Sequence, residues 1–286
     1  MAGQIRWGIL STASIGVNCF IPGVRKARNG TVVAIGSRNG DRAREVAARL
    51  GIPKAYGSYD ALLADPDIDA IYNPLPNGLH AEWTLKAARA GKAILVEKPM
   101  CRDAEEAAML ANACATDGVL LMEAFMYRFH PQHERVRALI ADGAIGDLCS
   151  VQTAFSFHMQ PLDPGNVRLQ APLAGGALMD VGCYPVSGAR MLFGEEPLAA
   201  VATYDLHPDF GVDIALSGIL EFSGKRFAMI DCGFRGTARA GIGWWAVPAR
   251  STSRLPMAWA CPMVWSFSPM DQADMKNVSQ VWINTR

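Results

Sequence analysis

The first 124 residues alternate short apolar runs with helical stretches, and that alternation leaves few folds open. Arg6–Leu10, Thr31–Ser37, Ala70–Asn73, Ala93–Val96 and Val119–Glu123 are brief and apolar, Thr31–Ser37 also β-branched, as strands buried on both faces are. Between them Phe20, Val24 and Ala27 recur at helical spacing. Asp41–Leu50 is amphipathic, with Val46, Ala47 and Leu50 on one face and Asp41 as an anion in its first turn. Tyr59–Ala64, Leu79–Ala90 and Asp103–Ala115 read as further helices, the last opened by Asp103 and Glu106 at capping-box spacing. Strands joined by helical crossovers predict a parallel, doubly wound sheet, an α/β fold whose ligands sit beyond the carboxyl ends of the strands. The unusual residues fall there: Ser11–Gly16, Ser37–Arg38, Pro74–Asn77, Glu97–Pro99 and Glu123–Arg128.

A dinucleotide turn prefers G-x-G-x-x-G, because glycine lets the backbone approach the pyrophosphate. Here the matching positions are Ser11, Ala13 and Gly16, so one glycine survives. Small side chains and a helix N-terminus still suit a phosphate, and a plain strand-to-helix turn accounts for these residues equally well. The second strand ends in Ser37-Arg38 rather than in the acidic residue that grips an NAD ribose. A hydroxyl and a guanidinium suit a 2′-phosphate, which favours NADP over NAD; the alternative is a solvated surface arginine. Lys98, between Glu97 and Pro99 at the end of an apolar strand, is placed to hold or move a proton, or else to snorkel at the surface beside Glu97.

Composition removes other classes. The 286 residues carry 27 basic and 27 acidic side chains, which argues against bulk attraction to nucleic acid or an anionic membrane. No stretch approaches the roughly 20 apolar residues of a membrane helix, and the N-terminus lacks a secretory h-region. Seven scattered cysteines, without C-x-x-C spacing, suit reduced thiols in a cytoplasm and offer no metal framework.

Four strings, WGILSTASIG, YNPLPNGLHAEWTLKAARAGKAILVEKP, EAFMYRFHPQ and GGALMDVGCYPVSGARMLFG, occur in this order between the N-terminus and Gly194. In them the chain resembles the Gfo/Idh/MocA family of NAD(P)-dependent oxidoreductases, nearest the branch of glucose–fructose oxidoreductase, xylose dehydrogenase and dimeric dihydrodiol dehydrogenase. The resemblance implies a Rossmann domain over residues 1–124. A second, α+β domain follows over residues 125–236, with an open, mostly antiparallel sheet whose exposed face commonly makes the oligomer contact. It implies Lys98, Asp180 and Tyr184 as catalytic residues, and a cis bond before Pro99. Ser11, Thr12, Ala13, Ile15, Ser37, Arg38, Leu75, Asn77, His80, Glu97 and Lys98 would line the cofactor. Asn77 reads equally as a helix cap, and His80 as a satisfied helix histidine. The substrate class is a cyclic sugar oxidised at C1, or a trans-dihydrodiol; a homologue that binds NADP(H) without turnover is the alternative of a different class. Asp180 and Tyr184, four apart, would share a helix face. A tyrosine with a pKa of about 10 is a weak base at neutrality, and a nearby Lys98 ammonium would favour its phenolate.

After Arg128, Phe129–Ala141 reads as a helix with Val136, Leu139 and Ile140 inward. Cys149–His158, Leu198–Leu206, Val212–Phe222 and Arg226–Gly233 read as alternating strands, with Ser223-Gly224 as a hairpin turn. Tyr127, Arg128, His130 and His158 are candidate substrate contacts; Arg128 and His130 serve equally well as ties between the domains. From Thr237 the sequence departs from the family pattern and holds five of the seven tryptophans: Trp244, Trp245, Trp259, Trp265 and Trp282. Residues 1–236 hold 25 acidic and 22 basic side chains, a net of −3; residues 237–286 hold 2 and 5, a net of +3. With 20 arginines against 7 lysines, the coding sequence leans GC-rich and leaves long alternative frames open. The expectation is a frameshifted or truncated tail that leaves the second sheet incomplete and the oligomer in doubt; the rival is a divergent tail packing its tryptophans on the sheet.

Overall fold

The computed structural model describes residues 3–247 and 265–267. They divide into two compact units, residues 3–130 and residues 131–247 with 265–267. Trp259, Trp282 and Cys261 lie outside the described residues.

The first unit is built on six parallel strands: β1 (Ile5–Leu10), β2 (Gly30–Gly36), β3 (Lys54–Tyr56), β4 (Ala70–Asn73), β5 (Ala93–Val96) and β6 (Leu121–Glu123). Their order is β3-β2-β1-β4-β5-β6, so the winding reverses between β1 and β4. Apolar side chains bury the sheet on both faces. Ile9, Ile35 and Val46 pack on one, and Leu10, Leu62 and Ile71 on the other. The sequence predicts five of these strands. β3 was not read as one: its three residues are all half-buried and carry no apolar run.

Helices cross between the strands as α1 (Ile21–Lys26), α2 (Gly40–Leu50), α3 (Tyr59–Leu63), α4 (His80–Arg89) and α5 (Ala104–Thr116). A π-helical turn, Gly16–Phe20, leads into α1. It carries the Phe20 ring onto Tyr72, stacked at 4.0 Å, and edge-on to Trp7 at 5.1 Å. The helix is thereby fixed against β1 and β4, the two strands of the reversal. Asn39 caps α2 by accepting the Arg42 N–H at 3.1 Å, and Gly51, at φ 63°, closes it. Asp103 caps α5 as the sequence predicts, accepting the Glu106 N–H at 2.8 Å. Glu106 does not complete the box. Its carboxylate turns to Arg102, accepting the backbone N–H at 3.0 Å and Nε at 2.8 Å, because the guanidinium adds a charge-assisted bond.

The second unit carries a six-stranded mixed sheet: β7 (Asp147–His158), β8 (Ala199–Leu206), β9 (Asp213–Phe222), β10 (Arg226–Gly233), β11 (Arg235–Val247) and β12 (Trp265–Phe267), in the order β12-β11-β7-β10-β9-β8. β7 and β10 are parallel; the other neighbours are antiparallel. α6 (Pro131–Ala141) precedes the sheet. α7 (Cys183–Phe193) packs on one face, where Leu192 and Phe193 join Leu216, Leu220 and Phe222. On the opposite face Val201 pairs with Ile219, and Ile219 with Met229. There Val201, Ile219 and Phe227 are exposed.

The Gly236 boundary read from the sequence falls inside β11, which runs on to Val247 against β7. Pairing with a distant strand, rather than alternation of its own residues, holds this segment. Its register shifts between Arg235 and Arg239 and again at Trp245/Ala246.

Candidate functional site

At the switch point, Ser11 follows β1 with φ 106°, a conformation that favours glycine. A serine held there costs of order 1–3 kcal/mol, offset in part by Ser11 Oγ accepting the Ala13 N–H at 3.2 Å. The backbone of the dinucleotide turn is therefore kept although its glycine is not. Ser11, Thr12, Ala13 and Ile15 are half-buried around a helix start at Ser14, and the N–H groups of a first helical turn lie outside the helix's own ladder. A Cβ on Gly16 would sit 3.5–3.6 Å from Ile9, Pro74 and Tyr72, which is ordinary contact, so close packing rather than a steric need for glycine marks this position.

Beyond β2, Ser37 Oγ accepts the Asn39 N–H at 3.1 Å, and Arg38 is exposed. Arg38 lies within electrostatic reach of the Tyr59 phenol. Burial raises the Tyr59 pKa and the arginine opposes it, with burial the larger effect. Tyr59, fixed edge-on to Trp83 at 4.9 Å, is a neighbour of Arg38 that sequence reasoning missed. A glycine-type turn at a helix start, with an exposed arginine at the end of the second strand, fits a dinucleotide bearing a 2′-phosphate.

Lys98 is half-buried, and its bond to Pro99 is cis as the resemblance implies. Glu97 Oε1 accepts the Tyr72 hydroxyl at 2.6 Å and Oε2 accepts the Lys98 N–H at 3.3 Å. The Glu97 N–H donates to the Asn73 carbonyl at 3.0 Å, and the Met100 N–H donates to Glu123 Oε1 at 2.8 Å. The turn carrying Lys98 is therefore held on both sides by β4 and β6. Tyr72 and Glu123 escaped the sequence reading because their partners lie 25 and 23 residues away. Leu75 is buried and Asn77 half-buried in the loop after β4. His80 has no exposed surface, so its ring reaches a ligand only through neighbours. Burial lowers its pKa most, two carbonyl contacts raise it, Lys98 lowers it, and the net shift is downward. Tyr127 is buried, with its ring edge-on to Phe125 at 5.9 Å, while Arg128 and His130 are exposed.

In the second unit Asp180 lies in a π-helical turn, Leu178–Gly182, and Tyr184 in the first turn of α7. The single α-helix foreseen for this pair is thus wider at Asp180, since a π turn closes over one more residue. Asp180 is buried, and its Oδ2 accepts Arg168 Nε at 2.6 Å. Arg168, unseen in the sequence, sits on a short 3-10 turn, Val167–Leu169, whose Arg168 carbonyl accepts the Gly176 N–H at 2.8 Å. The approach is close. A Cβ on Gly175 would lie 2.5 Å from that carbonyl oxygen, and Gly176 has φ 110°. Asp213 Oδ2 caps the π turn by accepting the Leu178 N–H at 2.7 Å; burial raises its pKa over these hydrogen bonds. Tyr184 is half-buried, its ring 5.2 Å from Phe155, and His158 is exposed at the end of β7.

A switch-point turn of this form, with a lysine beyond β5, defines a nicotinamide-dependent oxidoreductase built as a Rossmann unit and a separate sheet unit. Family models agree. The oxidoreductase-family NAD-binding Rossmann fold (GFO_IDH_MocA) matches residues 5–125, and the GFO/IDH/MocA C-terminal domain matches residues 133–247. The chain belongs to this family. It is 47% identical over 228 residues to D-xylose 1-dehydrogenase (NADP(+)) 2 of Haloferax volcanii, covering 80% of this chain and 69% of that protein. It is 39% identical over 228 residues to trans-1,2-dihydrobenzene-1,2-diol dehydrogenase of Xenopus tropicalis, covering 79% and 68%. The crystal structure of KijD10, a 3-ketoreductase from Actinomadura kijaniata in complex with NADP and TDP-benzene, superposes with a TM-score of 0.83 at 30% identity, covering 98% of this chain and 89% of that one. The match to residue 247 includes β11, so the family's second domain extends past Gly236. No helix among the described residues is long and apolar enough to cross a membrane.

Proposed function

We propose that the protein is an NADP-dependent dehydrogenase of the aldose 1-dehydrogenase type, oxidising a cyclic sugar at C1. The observation that carries this reading is Arg38, exposed beyond β2 where an acidic residue would mark NAD, in a chain whose relative at 47% identity is named for D-xylose and NADP(+). Ser11, Thr12, Ala13 and Ile15 would hold the pyrophosphate, Ser37 and Arg38 the 2′-phosphate, and Leu75, Asn77, Glu97 and Lys98 the nicotinamide end. When bound, the nicotinamide supplies the two-electron acceptor. Tyr184 takes the proton of the C1 hydroxyl, assisted by Lys98. Asp180, fixed by Arg168, orients the sugar; Tyr127, Arg128 and His158 contact it. The Xenopus relative supports a second substrate class, the trans-dihydrodiols. A panel of aldoses and dihydrodiols with NADP⁺ and NAD⁺ tests the reading. Turnover on aldoses with NADP⁺ is expected; NADPH binding without turnover on any substrate would mark a non-catalytic homologue.

The exposed apolar residues Val201, Ile219 and Phe227 support a second copy of the chain as the cover of that sheet face. Ile219→Lys is expected to shift the protein to a smaller species in light scattering. A cytoplasmic enzyme fits the free thiols of Cys101, Cys114, Cys149 and Cys232. The sequence from Thr237, read as departing from the family although the family model reaches Val247, supports a shifted reading frame in the remainder, and shifted frames that encode no family-like strands would refute it.

A further inference from the structure

His80 opens α4 in the first unit and is wholly buried. Its Nδ1 lies 2.8 Å from the Pro99 carbonyl oxygen, and its Nε2 lies 2.6 Å from that of Leu75. The two carbonyls belong to different loops. Leu75 is in the loop after β4, and Pro99 follows Lys98 in the turn after β5. The backbone at His80 and Leu75 is fixed by Asn73. Asn73 Nδ2 donates to the His80 carbonyl and to Thr84 Oγ1, each at 3.2 Å, while Asn73 Oδ1 accepts the Leu75 N–H at 3.3 Å. A ring with two protons donates to both carbonyls; a ring with one proton donates to one and only packs against the other, so the tie to both loops is made by the doubly protonated ring.

We propose that His80 is a positioning residue whose two ring nitrogens anchor two loops separately, the Leu75 loop for seating of the cofactor and the Lys98–Pro99 turn for placement of the lysine. The inference rests on the functional reading above. It assigns His80 no contact with cofactor or substrate.

The two bonds can be separated. An asparagine amide nitrogen falls near the Nδ1 position and a glutamine amide nitrogen near Nε2. His80→Gln therefore keeps the bond to Leu75 and loses the one to Pro99, and His80→Asn does the reverse. Loss of one bond to a buried carbonyl corresponds to a change of about five- to a hundredfold. For His80→Gln that loss is expected in kcat, with NADPH affinity nearly unchanged. For His80→Asn it is expected in NADPH affinity, with kcat nearly unchanged. Equal losses in both quantities for both variants, or no loss in either, would overturn the clamp, since a packing residue moves them together.

A second measurement uses the unsubstituted, cofactor-free protein. The His80 ring proton should exchange slowly with solvent in ¹⁵N-histidine spectra, and fast exchange would overturn the clamp even if both variants fail to fold. That readout needs no cofactor, so it separates failure of the clamp from failure of the functional reading, which shows as absence of NADP(H) binding by the unsubstituted protein.

Discussion

The two sheets bury their strands differently, and the difference explains where each puts its chemistry. In the first, parallel strands are covered on both faces, so polar side chains collect beyond the carboxyl ends, at Ser11, Ser37–Arg38, Asn73 and Glu97–Lys98. In the second, α7 covers one face while Val201, Ile219 and Phe227 stay exposed on the other, and the candidate residues Asp180 and Tyr184 ride on the covering helix and the π turn before it. The first unit is thereby suited to hold a cofactor by its loops. The second carries Asp180 and Tyr184 on its covered face and leaves the other face open.

If the units divide labour this way, damage to one should spare the other's task. The largest expected effect follows Gly175→Ala, where the new Cβ would lie 2.5 Å from the Arg168 carbonyl oxygen. A clash with backbone should cost about 3 kcal/mol or more. Calorimetry should show a lower Tm and assays a loss of turnover, because the Arg168–Asp180 pair is displaced, while NADPH affinity stays within about twofold. An unchanged Tm would mean that the glycine is not required there.

Arg38→Ala should act in the opposite sense. Losing a charge-assisted bond to a phosphate should weaken NADPH by about tenfold or more, leave NADH nearly unchanged, and leave Tm in place. Titration calorimetry with both cofactors decides it, and a constant NADPH-to-NADH ratio would remove Arg38 from the 2′-phosphate site.

The smallest effect lies far from either site, at Asp65. Its carboxylate is desolvated, which raises its pKa. Bonds from Lys54 Nζ at 2.8 Å, the Asp67 N–H at 2.9 Å and the Tyr56 hydroxyl at 2.7 Å more than offset this and bring it to about 2. A depressed pKa contributes stability that is present above the ordinary carboxylate value of about 4 and is lost as pH falls through the folded value. Asp65→Asn should therefore lower Tm at neutral pH by about 2–4 °C. The gap to the unsubstituted protein should narrow between about pH 4 and pH 2. A gap independent of pH would place the effect in packing instead.

Most of the first unit was legible because a strand buried on both faces is a continuous apolar run, and such runs end where the ligand loops begin. β3 was not, since an edge strand of three half-buried residues carries no run. β11 was not, because small residues and two register shifts erase alternation, and only its pairing with β7 defines it. Lys98, Asp180 and Tyr184 stood out through motifs. Tyr72, Glu123 and Arg168 did not, because each acts through a partner 12 to 25 residues distant that only the fold brings near. His80 was visible as a residue but open between a cofactor contact and a satisfied helix histidine, since burial cannot be seen in a motif.

The role proposed for Tyr184 is the proton transfer of a sugar oxidation whose cofactor is held elsewhere in the chain. The direct measurement is Tyr184→Phe, assayed for NADP⁺-dependent aldose oxidation and for NADPH affinity on the same preparation. Removing the acid/base hydroxyl should reduce kcat by about 10²- to 10⁴-fold while NADPH affinity changes less than about threefold. A proportionate loss of both would make Tyr184 a packing residue beside Phe155 and contradict the account.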